Sequence, residues 1–403
     1  AEEFIPILYK GKQNLPIKSI CQISQNELCL GTDGKGTKIF NIPKQLITDY
    51  PFDNNYLDSG TSKVHSVLKD NAGNLWIAIY QKGVMMIPAQ PNSFKYIGYK
   101  SINKNIIGSN CITSLCRDHE GILWIGTDND GIYGITTELK QKVHYAPHDS
   151  PSSVPSTVFG LYEDSEHNLW FGSYTNGLGR LDKKTGQCSY LQNLTDKHGN
   201  RIQRVYDLVE DQDKRLWIAT MGAGLFYYDL KTGQSVYDPK FNAATEKYKW
   251  ISCLLYAGDN HLYVGTYDGI RCIDLSTDDF KTEEILSRHI IHSLYEDPQG
   301  NIWIGNSEGL AEWNPQTQQL KTYTTAHGLS SNAVYAIKGD GQDNLWISTN
   351  AGMSRFNLNT HTFSNFYADD GLQGNEFTRT AVFKDKRGKI FFGGTNGVTA
   401  FYP

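Results

Sequence analysis

The chain has 403 residues, of which 39% are apolar and 20% charged, with 38 Gly against 13 Pro. That is too apolar and too weakly charged for a disordered chain, and long enough to bury a sizeable core. With 38 basic and 43 acidic residues, a net charge of −5 and no Lys/Arg block, it offers no electrostatic footprint for nucleic acid.

The opening AEEFIPILYK has neither an initiator Met nor a basic-then-apolar signal, so any targeting segment is expected outside the chain. No apolar run approaches the roughly 20 residues of a membrane span, and the sequence reads as a soluble piece. A single pattern then repeats. ELCLGTDGKGT aligns on Cys29 and DNAGNLWIAIYQKGV on Trp76. A break at Pro88 and Pro91 precedes the alternating segment FKYIGY at Phe94–Tyr99. Next come DHEGILWIGTDNDGI, DSEHNLWFGSYTNGL, DQDKRLWIATMGAGL, HLYVGTYDGI, DPQGNIWIGNSEGL, DGQDNLWISTNAGM and KIFFGGTNGV, aligned on Trp124, Trp170, Trp217, Tyr263, Trp303, Trp346 and Phe391. The nine anchors lie 40 to 48 residues apart, a period suited to the four-stranded blades of a β-propeller.

Each repeated position has a physical reason. Six residues before the anchor, seven copies carry Asp (Asp70, Asp118, Asp164, Asp211, Asp297, Asp340, Asp385), whose carboxylate can accept backbone N–H bonds and close a turn between strands. The anchor sits in a short alternating strand, its aromatic side chain facing the next blade and its flanking Leu and Ile the other way. Two residues later every copy is small (Gly31, Ala78, Gly126, Gly172, Ala219, Gly265, Gly305, Ser348, Gly393), as facing sheets in close contact require. A third strand follows in GLGRL, GLFYY, GIRCI, GLAEW and GMSRF, then an Asp/Asn-x-x-Thr turn, then an aromatic-rich fourth strand.

The last copy stops after its third strand, so its fourth must be borrowed to leave no open edge. Taking Phe94–Tyr99 gives a seven-bladed ring over 94–403; taking residues 4–9 (FIPILY) gives nine blades, beyond the usual range of about 4–8. We expect seven. Residues 1–93 are then two blades that cannot close alone, the end of an adjacent, truncated propeller.

Chemistry is harder to find. Seven equivalent Asp residues in one turn position read as structural rather than catalytic. HExxH, GxSxG and GxxxxGK[ST] are absent, and no cofactor or metal site is expected. The seven cysteines (Cys21, Cys29, Cys111, Cys116, Cys188, Cys253, Cys272) are odd in number, dispersed and without a CxxC, so small buried hydrophobes are the expectation; pairing among them stays open.

Binding is better supported. The turns ahead of each first strand and those between second and third strands gather at one face of such a ring, and there the copies diverge. Tyr174, Arg201, Arg204, Lys249, Trp250, Tyr267, Arg288 and His289 form an aromatic-plus-basic set. Aromatic faces stack on sugar rings, and Arg or Lys pair carboxylates or sulfates. Singly, each is an ordinary solvated loop residue; as a set they form a candidate site for a glycan or anionic ligand. The one acid–base combination that could serve a propeller lyase or glycosidase is Asp268 with His289 or Tyr267. A protein-binding scaffold is a third reading.

The D-x-x-G-N-L-W-I-G-T…G-L repeats, with NSFKYIGYKSINKNIIGSN, DDGLQGNEF and the terminal KIFFGGTNGVTAFYP, resemble the regulator-propeller repeats of Bacteroidetes hybrid two-component sensors over essentially the whole chain. The resemblance implies a periplasmic sensor fragment of an inner-membrane receptor rather than an enzyme. Its ligand would be a polysaccharide-derived oligosaccharide, neutral or anionic, whose binding regulates glycan-utilisation genes. It also implies a homodimer in the full receptor, with the membrane helix, kinase and regulator modules all in C-terminal parts beyond this chain.

Overall fold

A computed structural model describes residues 7, 9, 14–50, 61–87, 89, 94–99, 106–108, 111–196, 198–237, 248–277 and 280–403. Among these the chain is all-β apart from 3-10 turns at Thr325–His327 and Ala368–Asp370 and a 3-10 residue at Tyr248. Two compact units form: residues 1–93 with 100–105, and residues 94–99 with 106–403. Pro88 and Pro91 lie outside the described residues, as does all of the 4–9 segment except residues 7 and 9.

The larger unit contains seven four-stranded antiparallel sheets. Six are simple meanders, spanning residues 112–145, 158–190, 205–236, 251–287, 291–323 and 334–366, and we call these blades 1 to 6. Blade 7 takes three strands from residues 377–401 and its fourth from Lys95–Ile97. In it Val398 faces Ile97, Thr399 faces Tyr96 and Ala400 faces Lys95, and the Tyr96 hydroxyl donates to the Asn396 carbonyl at 2.8 Å.

The anchors explain why seven sheets close into a ring. Each packs into the apolar cluster of the following blade: Trp124 against Val158 and Phe171, Trp170 against Val205 and Ile218, Trp217 against Ile251 and Val264. The series continues with Tyr263 against Ile291, Trp303 against Val334 and Trp346 against Phe377. Phe391 of blade 7 then packs among Ile112, Leu115 and Ile125 of blade 1, completing the circuit. The small residue two positions on is forced by the same contact: a Cβ on Gly172 would come 2.4 Å from the Val205 carbonyl oxygen of the next blade.

The repeated Asp does more than close its turn. In blade 5, Asp297 accepts the Asn301 backbone N–H at 2.9 Å on one oxygen and the Trp303 indole N–H at 2.8 Å on the other. The same indole bond joins Trp76 to Asp70, Trp124 to Asp118, Trp170 to Asp164 and Trp217 to Asp211, at 2.7–2.8 Å. The carboxylate thus fixes the orientation of the wedge as well as the turn.

A second set of bonds fastens the innermost strands to one another. In blades 1, 4, 5 and 7 the first strand has a β-bulge or register shift near its start, and the side chain there reaches the carbonyl that opens the next blade. Ser252 donates to Ile291 O at 2.6 Å and His292 Nδ1 to Val334 O at 2.8 Å. Thr113 makes the same bond to Val158, and Thr378 to Ile112 across the closing junction.

The smaller unit holds a four-stranded sheet over residues 17–49 and a three-stranded sheet over 64–87. Cys29 is buried in its anchor position among Val64, Val67, Leu75 and Ile77. Trp76, anchor of the second sheet, is 40% exposed, whereas the five anchor tryptophans of the ring are at most 5% exposed.

Candidate ligand-binding site

The loops at one end of the blades carry all eight residues of the aromatic-plus-basic set. The structure sorts them into three groups at three successive blade junctions.

Between blades 2 and 3, Tyr174 follows the second strand of blade 2, while Arg201 and Arg204 precede the first strand of blade 3. The Gly177 N–H bonds Gln203 O at 2.7 Å, tying the two loops together. Arg201 donates to Asn176 O at 2.9 Å, and the Arg204 guanidinium lies 4.9 Å above the Tyr174 ring. Tyr174 is nonetheless 45% exposed, so a flat aromatic face and a cation are presented side by side.

Between blades 3 and 4, Lys249 O accepts the N–H groups of Gly222 and Gly224 at 2.8 and 3.2 Å, and Trp250 forms a β-bridge with Met221. The Trp250 ring meets Tyr267 edge-on at 6.1 Å and stays 41% exposed. A Cβ on Gly222, whose φ is +100°, would touch the indole at 3.8 Å. This glycine therefore suits both the turn and the tryptophan laid beside it.

Between blades 4 and 5, Arg288 takes a left-handed φ of 61°, and its N–H bonds both the carbonyl and the carboxylate of Asp268 at 3.1 Å. His289 Nδ1 donates to Ser287 O at 2.7 Å, while Nε2 lies 3.2 Å from Glu308. The acid that faces this imidazole is thus Glu308; Asp268 holds the Arg288 backbone instead. The set is an arc of three exposed junctions rather than one closed pocket.

Two cavities lie elsewhere in the ring. The central channel holds about 380 Å³, lined by the innermost strands, with Ser114, Gly160, Asp207, Lys338 and Thr380 on its wall. Asp207 stands where the other blades carry Ser114, Gly160, Cys253, Ser293, Ala336 and Ala381. Its carboxylate accepts N–H bonds from Leu208 at 2.9 Å and from Leu254 of blade 4 at 2.8 Å, and burial pushes its pKa up to about 6. Burial also lowers the Lys338 ammonium, with Lys384 adding a smaller repulsion. Nothing in the sequence singled Asp207 out except that odd position within an otherwise small-residue column.

A cleft of about 970 Å³ opens between blades 1 and 2, lined by Trp124, Tyr145, Lys142, Arg180, Lys183 and His167 among others. It lies at the turns preceding the anchors, the opposite end of the strands from the aromatic–basic arc. At its margin His119, Glu163 and His167 each bring a ligand atom within 4.8 Å of the others. Glu163 is already engaged, accepting the His119 N–H at 2.7 Å, His119 Nδ1 at 2.8 Å and Lys183 Nζ at 2.7 Å. The same backbone-to-Glu clip recurs as Ser165 to Glu210 and Gly258 to Glu296, so the trio is explained as an inter-blade fastening.

Comparison with known proteins bears on the repeats and the fold. Residues 106–129, 152–175, 201–222, 285–308 and 328–351 match the two-component regulator propeller family, so the chain carries two-component regulator propeller repeats. Among solved structures, the extracellular domain of a putative hybrid two-component system from B. thetaiotaomicron is similar, with 24% identity and a TM-score of 0.80 over 96% of this chain and 51% of that one. A second such domain from B. thetaiotaomicron has 20% identity and a TM-score of 0.65, over 96% of this chain and 52% of the other. The chain therefore spans about half the length of these domains. A catalytically inactive virginiamycin B lyase from Staphylococcus aureus, seen with quinupristin, is more distant, at 14% identity and a TM-score of 0.59 over 76% of this chain and 98% of that one. These likenesses concern the fold. No curated protein matches the chain.

Proposed function

We propose that this chain, a carrier of two-component regulator propeller repeats, is the ligand-sensing part of a hybrid two-component receptor in the periplasm of a Bacteroidetes bacterium. Its ligand is an oligosaccharide released from a polysaccharide, neutral or anionic, and the receptor's output is control of glycan-utilisation genes. The observation that carries the reading is the paired presentation of Tyr174 with Arg204 and of Trp250 with Tyr267 at adjacent junctions of a rigid ring. Exposed rings held by neighbouring side chains lose little entropy when a sugar stacks on them, and the arginines add charge complementarity for acidic sugars.

On this reading residues 94–403 form the binding propeller. Residues 1–93 end a neighbouring one, whose further blades would cover the exposed Trp76. Ligand acts by favouring one arrangement of propellers, or of the two protomers of a homodimer, and that preference passes to parts beyond this chain.

Calorimetric titration of Trp250→Ala and Arg204→Ala tests the placement of the site. Each substitution is expected to weaken oligosaccharide affinity by about tenfold or more, roughly 1.4 kcal/mol, with the melting temperature nearly unchanged. Undiminished affinity in both variants would move the site away from the arc, with the face bearing Tyr80 and Lys82 the next to test.

A further inference from the structure

One blade departs from all the others at its anchor. In eight sheets an aromatic anchor stands directly across from a residue of the first strand: Trp76 from Leu68, Trp124 from Cys116, Trp170 from Tyr162, Trp217 from Val209, Tyr263 from Leu255, Trp303 from Tyr295, Trp346 from Lys338, Phe391 from Phe383. In the sheet over 17–49 both members of that pair are cysteine, Cys21 facing Cys29.

Directly opposed residues of an antiparallel pair have Cα atoms roughly 4.5–5.5 Å apart, inside the range of about 4.4–6.8 Å that a disulfide spans. Both side chains lie on one face, since Cys21 packs against the same apolar cluster that buries Cys29. Both thiols are free in this structure, and Cys29 is fully buried while Cys21 is partly exposed. Burial, and then the neighbouring Cys21, push the Cys29 thiol up to about 12. Cys21 is therefore the sulfur that an outside reagent meets, and Cys29 the one that follows. No other two cysteines are cross-strand partners among the described residues.

We propose that Cys21 and Cys29 are a redox-active pair that closes to a cross-strand disulfide by exchange with a small-molecule or protein disulfide. The Cys21 thiolate attacks the external disulfide, one thiol leaves, and a mixed disulfide forms on Cys21. The Cys29 sulfur then attacks the Cys21 sulfur and displaces the second thiol, which leaves as a thiolate and takes up the Cys29 proton. Two cysteine thiols are oxidised and one external disulfide is reduced to two thiols, so atoms and electrons balance. The covalent bond fastens the first two strands of this sheet at the anchor position, where a cysteine stands in place of the aromatic side chain. The chemistry does not depend on the ligand reading.

The test counts thiols. The protein is incubated with oxidised glutathione or with dithiothreitol, unfolded in guanidinium, alkylated with N-ethylmaleimide and weighed intact. Seven adducts are expected after dithiothreitol and five after glutathione, with peptide mapping linking Cys21 to Cys29. Cys21→Ser should give six adducts under both conditions, together with an unchanged melting temperature on oxidation, whereas oxidation raises that of the natural sequence. Seven adducts after oxidation, a bond mapped to any other cysteine, or a glutathione adduct that persists on Cys21 would overturn the proposal.

Discussion

At the scale of single residues, the Asp–Trp pair decides how firmly each wedge is held. Removing Asp297 would orphan the Trp303 indole N–H and the turn N–H groups of Gln299 and Asn301. Asp297→Ala is therefore expected to cost about 3 kcal/mol. Asp340 makes the equivalent turn bonds, but the Trp346 indole N–H finds no partner among the described residues, so Asp340→Ala should cost about 1–2 kcal/mol less. Urea unfolding of the two variants side by side checks the difference. The turn role was legible because it is local; the indole bond was not, because it needs the strand to carry Trp303 back over the turn.

His292 supplies a pH test at the same scale. It is buried, donates from Nδ1 to Val334 O and leaves Nε2 without a partner among the described residues; burial, aided by the nearby Arg379, lowers its pKa to about 4. In the unfolded chain it titrates near 6.5. Between those values only the unfolded chain takes up the proton, so this group's contribution is complete above pH 6.5 and is lost as pH falls. Asp207 works in the opposite sense: its pKa rises from 3.8 to about 6, so the folded chain holds the extra proton and stability falls as pH climbs through that window. Thr113 and Thr378 make the His292 bond from the same position, so His292→Thr should keep the clip and flatten the acid-side loss. A variant profile as steep as the natural one would assign that loss to another group.

At the scale of elements, ring closure depends on a three-residue strand from far away in sequence. Ile97 is fully buried beside Val398, and Phe94 packs edge-on against Phe366 at 5.2 Å and Phe401 at 5.0 Å. Ile97→Ala is expected to cost about 2–4 kcal/mol, detectable as a lower urea midpoint of the main unfolding transition. A cost below about 0.5 kcal/mol would mean that the strand adds little to closure. The blades could be read from sequence because every copy repeats its own turn, anchor and small residue. Closure was harder, since FKYIGY and FIPILY alternate equally well and only the ring itself selects between them. The bulge-borne clips were invisible for a related reason: Thr113, Ser252 and His292 share a position that other copies fill with Phe159, Tyr206 and Tyr335, so no pattern marks it.

At the scale of the whole molecule, the site was legible only as a set of loops. Sequence placed Tyr174, Arg204, Trp250 and Tyr267 at one end of the blades, because the repeat fixes where each loop emerges. It did not show which residues meet, since Arg204 reaches Tyr174 across a blade junction and His289 faces Glu308 rather than Asp268. Those pairings depend on how adjacent blades are juxtaposed, which no single repeat encodes.

The most direct test of the central claim is calorimetric titration of the chain with defined neutral and acidic oligosaccharides, followed by chromatography of the recovered sugar. The account predicts saturable binding of at least one member, with that sugar returned intact. Recovery of shortened products, or no saturable binding across the panel, would contradict it.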